Sequence, residues 1–316
     1  IQMEDTDVAF RCNLVTLSDE AEYAEKTMVD YSSGEITTAE AAELIRAVDA
    51  AFRTDEILFY PGISYRHCMI WHQGPVGLNL TPPHDISDRK ITEYLPQNPV
   101  ILDLMKRSYE ILKDHPVNRD RIARGLNPAN SIWFWGAGTR PALAPFVEKT
   151  GHTGAMISAV DLLKGIAVGA DMKVVEVEGA NGGLDTNYEG KADAAVEALL
   201  KDDLDFAYIH LEAPDEMGHQ GSFERKVQAI ENLDKRIIKR VTEQLEAAGT
   251  DFRMLVLPDH PTPVAIRTHV SDPVPYMLYD STNKQSHTWN YNEKEAQESG
   301  NYIDKGYTII NHLFEK

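Results

Sequence analysis

Cysteine is nearly absent from this sequence. Its 316 residues contain two, Cys12 and Cys68, too few for a disulfide framework and too isolated for a zinc-ribbon spacing. Both read as buried thiols rather than ligands, which fits a reducing cytoplasm. Long apolar runs are lacking too. Nothing approaches the roughly 20 consecutive apolar residues that span a bilayer, and no basic-then-apolar signal segment opens the chain, so no membrane partner is expected. Basic residues are in deficit, 31 Lys and Arg against 50 Asp and Glu, for a net charge of −19. That argues against DNA or RNA as a partner, because phosphate backbones are held by basic stripes. An anionic substrate would also be repelled at long range, so metal ions or a local Arg/Lys cluster would have to overcome the field within a cleft. A start methionine is missing as well. The chain opens at Ile1, and DVAFRCNLVTL is already an extended segment from Asp7, as expected of a piece cut from a longer protein.

What is present is the composition of a globular protein, 42% hydrophobic and 26% charged. The length suits one large domain or two ordinary ones. Residues 1–125 read as an α+β unit in which strands and helices do not strictly alternate. An apolar strand around Val8–Leu17 is followed by a helix from about Thr38, where Thr37 and Glu40 have capping-box spacing. Two strands, 57–62 and 64–71, precede a Pro-rich loop, NLTPPHDISD, and residues 99–114 place apolar side chains at helical intervals. Residues 126–316 alternate more regularly. Strands are expected at 131–136, 155–160, 173–179, 205–211, 252–258 and 274–280. Helices are expected between most of them, one of them carrying Phe223, Val227, Ile230, Leu233, Ile237, Val241 and Leu245 as a single apolar stripe. Such alternation implies an α/β fold, a mostly parallel sheet with helices on both faces.

Ligands of open α/β sheets sit beyond the carboxyl ends of the strands. That rule picks out EAPDEMGHQG, with Asp215 and His219, and the stretch after 252–258, with Asp259 and His260. His269 follows in RTHVSDPVP. Carboxylate and imidazole together form a ligand set for Zn²⁺, Mn²⁺, Fe²⁺ or Co²⁺. Asp215 and His219, four apart, can face one ion if their loop turns like a helix. Asp259 and His260, being adjacent, point apart in an extended chain and suit a bridge between two ions. Two ions about 4 Å apart clamp the attacking and leaving oxygens of an in-line phosphoryl transfer. Any one of these pairs alone would read as a turn residue beside a surface imidazole.

The stretches EAPDEMGHQG, LPDHPTP and RTHVSDPVP resemble the metal loops of the cofactor-independent phosphoglycerate mutases, within the alkaline phosphatase superfamily. DVAFRCNLVT, YRHCMIW, TPPHDISD, GAMISAVDLLKGI and GGLDTNYEGKADAA resemble the archaeal-type branch, in the same order, from about Asp7 to the C-terminus. The resemblance implies that Asp215, His219 and His269 hold one divalent ion and that Asp259 and His260 help to hold a second. It implies Mn²⁺, Zn²⁺ or Co²⁺ as cofactor and no bisphosphoglycerate. It also implies an upstream strand bearing a further Asp and a hydroxyl nucleophile, neither of which is in this sequence. The catalytic nucleophile is therefore unknown here, and this piece alone is expected to be inactive and, with a sheet edge uncovered, to self-associate. The implied reaction interconverts 3- and 2-phosphoglycerate through a phosphoenzyme, with the 1–125 domain, similar to the family's inserted transferase domain, closing over the site to exclude water.

Substrate-binding candidates are Arg11, Arg66, His84, Arg140 and Lys164. Arginine offers the bidentate fork that carboxylates and phosphates accept best, against a plain reading of each as a solvated surface charge. The metal loops cannot choose among phosphatase, phosphomutase and mutase. The alternatives are another small phosphate ester as substrate, or a non-catalytic module binding metal and phosphate. GANGGLDTNY has neither phosphate-loop nor dinucleotide spacing and reads as a turn, and IWFWG reads as buried strand.

Overall fold

The computed structural model describes residues 3–284 and 289–315; Ile1, the residue at which the chain opens, lies outside them. The chain divides into two units, Ile1–Pro141 and Ala142–Lys316. The first contains β1 (Val8–Leu17), β2 (Met28–Asp30), α1 (Thr38–Phe52), β3 (Ile57–Tyr60), β4 (Arg66–Trp71), α2 (Pro99–Leu112), α3 (Pro116–Ala123) and β5 (Ser131–Thr139). Along β1, Val8, Phe10, Cys12 and Leu14 are buried on one side of the pleat, while Arg11 and Asn13 alternate to the other. β1 pairs antiparallel with β4 through Val8–Asn13, with β5 on its other edge, and with β2 at its end. β3 completes a five-stranded antiparallel sheet.

α1 begins as its sequence says it should. The Thr37 hydroxyl oxygen accepts from the Glu40 amide at 3.3 Å, and Ala41, Leu44, Ile45, Val48 and Phe52 recur at helical spacing on its buried face. α2 is capped by Asn98, whose side chain accepts from the Val100 and Ile101 amides, and Pro99 fills its first turn. Full burial of one such Leu or Ile contributes about 1.5–3 kcal/mol. Glu40 also meets the buried Arg121 at 2.8 Å, whose other nitrogens donate to the Ser33 and Asn127 carbonyls.

The unit boundary falls at 141/142, beyond the expected 125/126. β5, expected to open the α/β region, instead pairs with β1 from Val15↔Ser131 to Val8↔Thr139, and Ile132, Trp133 and Phe134 fill the same core as Phe10 and Phe59. A short apolar aromatic strand has no periodicity that reveals its sheet.

The second unit contains α4 (Phe146–Thr150), β6 (Gly154–Ile157), α5 (Asp161–Gly169), β7 (Lys173–Val175), α6 (Tyr188–Leu200), β8 (Phe206–Ile209), α7 (Ala213–His219), α8 (Phe223–Asn232), α9 (Lys239–Ala247), β9 (Arg253–Val256), β10 (Met277–Asp280), α10 (Glu293–Ser299) and α11 (Ile309–Phe314). β7, β6 and β8 form a parallel sheet in that order. α6 lies between this sheet and the long helical arm: Ala195 and Ala198 pack with Ala155 and Ile157, while Ala192 and Val196 pack with Ile237, Val241 and Leu245. Two bidentate pairs, Arg236–Glu189 and Arg240–Asp193, fasten the arm to α6.

Two expectations need correction. The parallel sheet is limited to three strands among the described residues. β9 and β10 pair antiparallel with each other in a separate sheet, because the segment 257–276 between them is loop rather than a crossover helix. The apolar stripe is also broken. A π-helical turn at Leu233–Ile238 separates α8 from α9 and rotates the register. Ile237, Val241 and Leu245 are buried, while Phe223, Val227 and Ile230 are exposed. No helix among the described residues is long and apolar enough to cross a membrane.

Candidate metal centre

β8 delivers the chain to α7, whose first turn holds Pro214, which lacks only a proton that the helix would leave unbonded. Asp215 and His219 are four apart on this helix and so share one face. Opposite them lies the segment after β9. Gly218 permits the approach: a Cβ there would stand 2.4 Å from the Thr262 carbonyl oxygen.

Three side chains converge. His219 Nε2 is 3.0 Å from His269 Nε2, His219 Nε2 is 3.3 Å from Asp215 Oδ2, and His269 Nε2 is 3.3 Å from Asp215 Oδ1. One donor atom from each lies within 4.8 Å of the others. An ion held tetrahedrally at about 2.0–2.1 Å from N and O donors spaces its ligand atoms about 3.3 Å apart. The donor set and its spacing fit a divalent transition-metal ion.

The surroundings orient these donors. His219 Nδ1 faces the Arg267 carbonyl at 3.0 Å. A carbonyl only accepts, so the proton sits on Nδ1 and the Nε2 lone pair points to the cluster. Thr262, 3% exposed, donates its hydroxyl to Asp215 Oδ1. The Thr262 carbonyl in turn accepts from Lys226 Nζ at 2.6 Å. Burial pushes the Lys226 ammonium down, and Asp215 pulls it back up. Behind α7, the buried Lys191 donates to the His210 carbonyl at 3.1 Å, and a Gly182 Cβ would stand 2.7 Å from Glu212. Burial lowers Lys191 and His210 and raises Glu212.

His260 stacks on His269, ring centres 3.7 Å apart. Asp259 does not point away from His260 as an extended chain would require; its Oδ2 lies 3.4 Å from His260 Nε2, because the chain turns after β9. Asp259 is otherwise largely exposed and stands outside the three-residue cluster. Thr262, Lys226 and Arg267 were not legible as site residues. A hydroxyl or a carbonyl that orients a ligand leaves no spacing signature.

The candidate substrate ligands separate into two groups. Arg11 and Arg66 share one face of the first unit's sheet, and His84, on the turn Pro83–Ile86, stands against it. Arg11 stacks over Trp135 and Arg66 over Tyr65, and the His84 ring stands edge-on to Trp135 at 5.2 Å. Arg140 is exposed, 3.5 Å from Asp5. Lys164, on α5, pairs with Glu176 at 2.7 Å.

Residues 20–315 match the Metalloenzyme superfamily. The chain is 44% identical over its whole length, and 79% of the relative's, to a probable 2,3-bisphosphoglycerate-independent phosphoglycerate mutase of Geobacter sulfurreducens. It is 48% identical to the 2,3-bisphosphoglycerate-independent phosphoglycerate mutase of Methanosarcina barkeri, covering 95% of this chain and 74% of the relative. Among solved structures, a Pyrococcus horikoshii protein aligns with a TM-score of 0.73 at 25% identity, over 94% of this chain and 70% of its own. The cofactor-independent phosphoglycerate mutase of Thermoplasma acidophilum shares the fold, with a TM-score of 0.61 at 22% identity over 99% of this chain and 77% of its own. With three metal-type donors converging in the second unit and relatives of this identity spanning the chain, the protein belongs to the 2,3-bisphosphoglycerate-independent phosphoglycerate mutases of the metalloenzyme superfamily.

Proposed function

We propose that this chain belongs to an isomerase that interconverts 3-phosphoglycerate and 2-phosphoglycerate through a phosphoenzyme, with divalent metal and without bisphosphoglycerate. The observation that carries the reading is the convergence of Asp215, His219 and His269 at mutual distances of 3.0–3.3 Å. A divalent ion there would supply Lewis-acid stabilisation of phosphoryl oxygens. Asp215, His219 and His269 would hold it, with Asp259 and His260 serving a second ion. Mn²⁺, Zn²⁺ and Co²⁺ all suit such donors.

The chain's own groups prepare the chemistry. The Arg267 carbonyl fixes the His219 tautomer, and the Thr262 hydroxyl fixes the rotation of the Asp215 carboxylate. In the first unit, Arg11, Arg66 and His84 present donors to a small substrate that carries a phosphate and a carboxylate. This local cationic face offsets the repulsion of a −19 chain. Arg140 and Lys164 are assigned a lesser part, since among the described residues neither is held by an aromatic ring; each faces a carboxylate, as His84 also faces Asp85 at 3.6 Å. Two free cysteines fit a cytoplasmic location. We also infer self-association through uncovered strand edges of the second unit.

The test is ³¹P NMR of 3-phosphoglycerate with the protein and Mn²⁺, in the absence of bisphosphoglycerate. The expected result is broadening of the substrate signal beyond that which Mn²⁺ alone produces, by binding to this chain. A substrate signal that the protein leaves unchanged at any metal concentration would overturn the reading.

A further inference from the structure

The candidate ligands of the first unit are gathered by a residue that is not itself a candidate. Arg11 on β1 pairs with Trp135 on β5, and Asn13 pairs with Arg66 on β4. Directly opposed residues of antiparallel strands share a face, so these four side chains stand together. The Trp135 indole N–H donates to Asn13 Oδ1 at 2.9 Å, and Asn13 is 3% exposed. The indole is therefore tied to the sheet by a buried amide. Asn13 also donates to the Tyr31 carbonyl at 3.3 Å.

Two cationic or ionisable groups rest on that indole. The Arg11 guanidinium lies 4.6 Å from its ring centre, and the His84 ring stands against it at 78°. Gly136 lets the Arg11 stem lie close. Its φ is +57°, and a Cβ there would come within 3.2 Å of Arg11 Cδ. Arg121, Arg236 and Arg240 are neutralised by carboxylates. Among the described residues, no carboxylate pairs with Arg11 or Arg66, and each is held by an aromatic face instead. A guanidinium stacked on a ring keeps its N–H edge free for an anion, whereas one paired with a carboxylate does not.

From this arrangement we infer that Trp135, anchored by Asn13, is a positioning residue that pre-orders Arg11 and His84 to receive phosphoglycerate. The inference rests on the reading of Arg11 and His84 as substrate ligands. Pre-ordering removes the conformational entropy that a free arginine would lose on binding.

The experiment is a double-mutant cycle on 3-phosphoglycerate binding, followed by calorimetry, with Trp135→Leu, Arg11→Ala and the pair. Trp135→Leu is expected to weaken binding about ten-fold, and Arg11→Ala to cost several-fold less in that background than alone. Mn²⁺ binding should be unchanged in every variant. Trp135→Phe keeps a ring but loses the tether to Asn13, so it should recover only part of the affinity; it also replaces Trp135→Leu in the cycle if that variant melts. Independent, multiplying losses would overturn the inference, as would wild-type affinity in Trp135→Leu. Absence of binding to the wild type is a separate outcome, which removes the ligand reading and this inference with it.

Discussion

Thr262 and Arg267 show where residue-scale reading stops. Asp215, His219 and His269 were singled out because several carboxylate and imidazole features fall beside strand ends together, where any one pair alone would read as a turn residue beside a surface imidazole. The Thr262 hydroxyl and the Arg267 carbonyl act on them from positions that no pattern marks. His67 is a second residue that only the structure discloses. It is 6% exposed, its Nδ1 accepts from the Gly62 amide at 3.0 Å, and its buried Nε2 has no partner among the described residues. Burial pushes its pKa down from 6.5 to about 4. Between those values the unfolded chain takes up a proton that the folded chain refuses. Stability is therefore complete above pH 6.5 and is lost as pH falls toward 4, at up to about 1.4 kcal/mol per pH unit. Urea midpoints measured from pH 4 to 7 should slope across this window in the wild type and flatten in His67→Gln. Equal slopes in the two proteins would contradict the assignment.

At the scale of elements, caps and periodic faces were readable and sheet membership was not. The cap of α1 and the buried face of α2 follow from their own sequences. The placement of β5 depends on which strand it meets, and the π turn at Leu233–Ile238 has no sequence mark. α7 gives the element-scale prediction. Helix propensity favours Ala over Gly by about 1 kcal/mol, but at Gly218 a Cβ would stand 2.4 Å from the Thr262 carbonyl, and overpacking costs about 1–3 kcal/mol. The clash wins. Gly218→Ala is expected to lower the melting temperature and to weaken Mn²⁺ binding about ten-fold or more, as α7 is pushed from its partner segment. Gly165→Ala on α5 meets nothing within 4 Å, so by the same propensity it should raise the melting temperature slightly and leave metal affinity unchanged. A Gly218→Ala protein with native metal affinity would show that close approach does not set the cluster.

For the whole molecule, composition argued against nucleic acid as a partner and the motifs pointed to the chemistry, while the boundary between units needed the structure. In the second unit, β8 is bonded only to β6 and β9 only to β10 among the described residues. Each leaves an edge open, and Phe223, Val227 and Ile230 are exposed in the same unit. Open edges and apolar faces of this kind recruit another chain. Light scattering should show mass per particle rising with concentration; a monomer over a hundred-fold range of concentration would contradict this.

The central claim is the ligand set, and metal titration tests it most directly. Mn²⁺ or Zn²⁺ binding would be measured on this chain and on a His219→Ala, His269→Ala double variant. The account predicts one tight site in the wild type that the double variant lacks. Tight binding that survives in the double variant, or none in the wild type, would contradict the assignment of Asp215, His219 and His269.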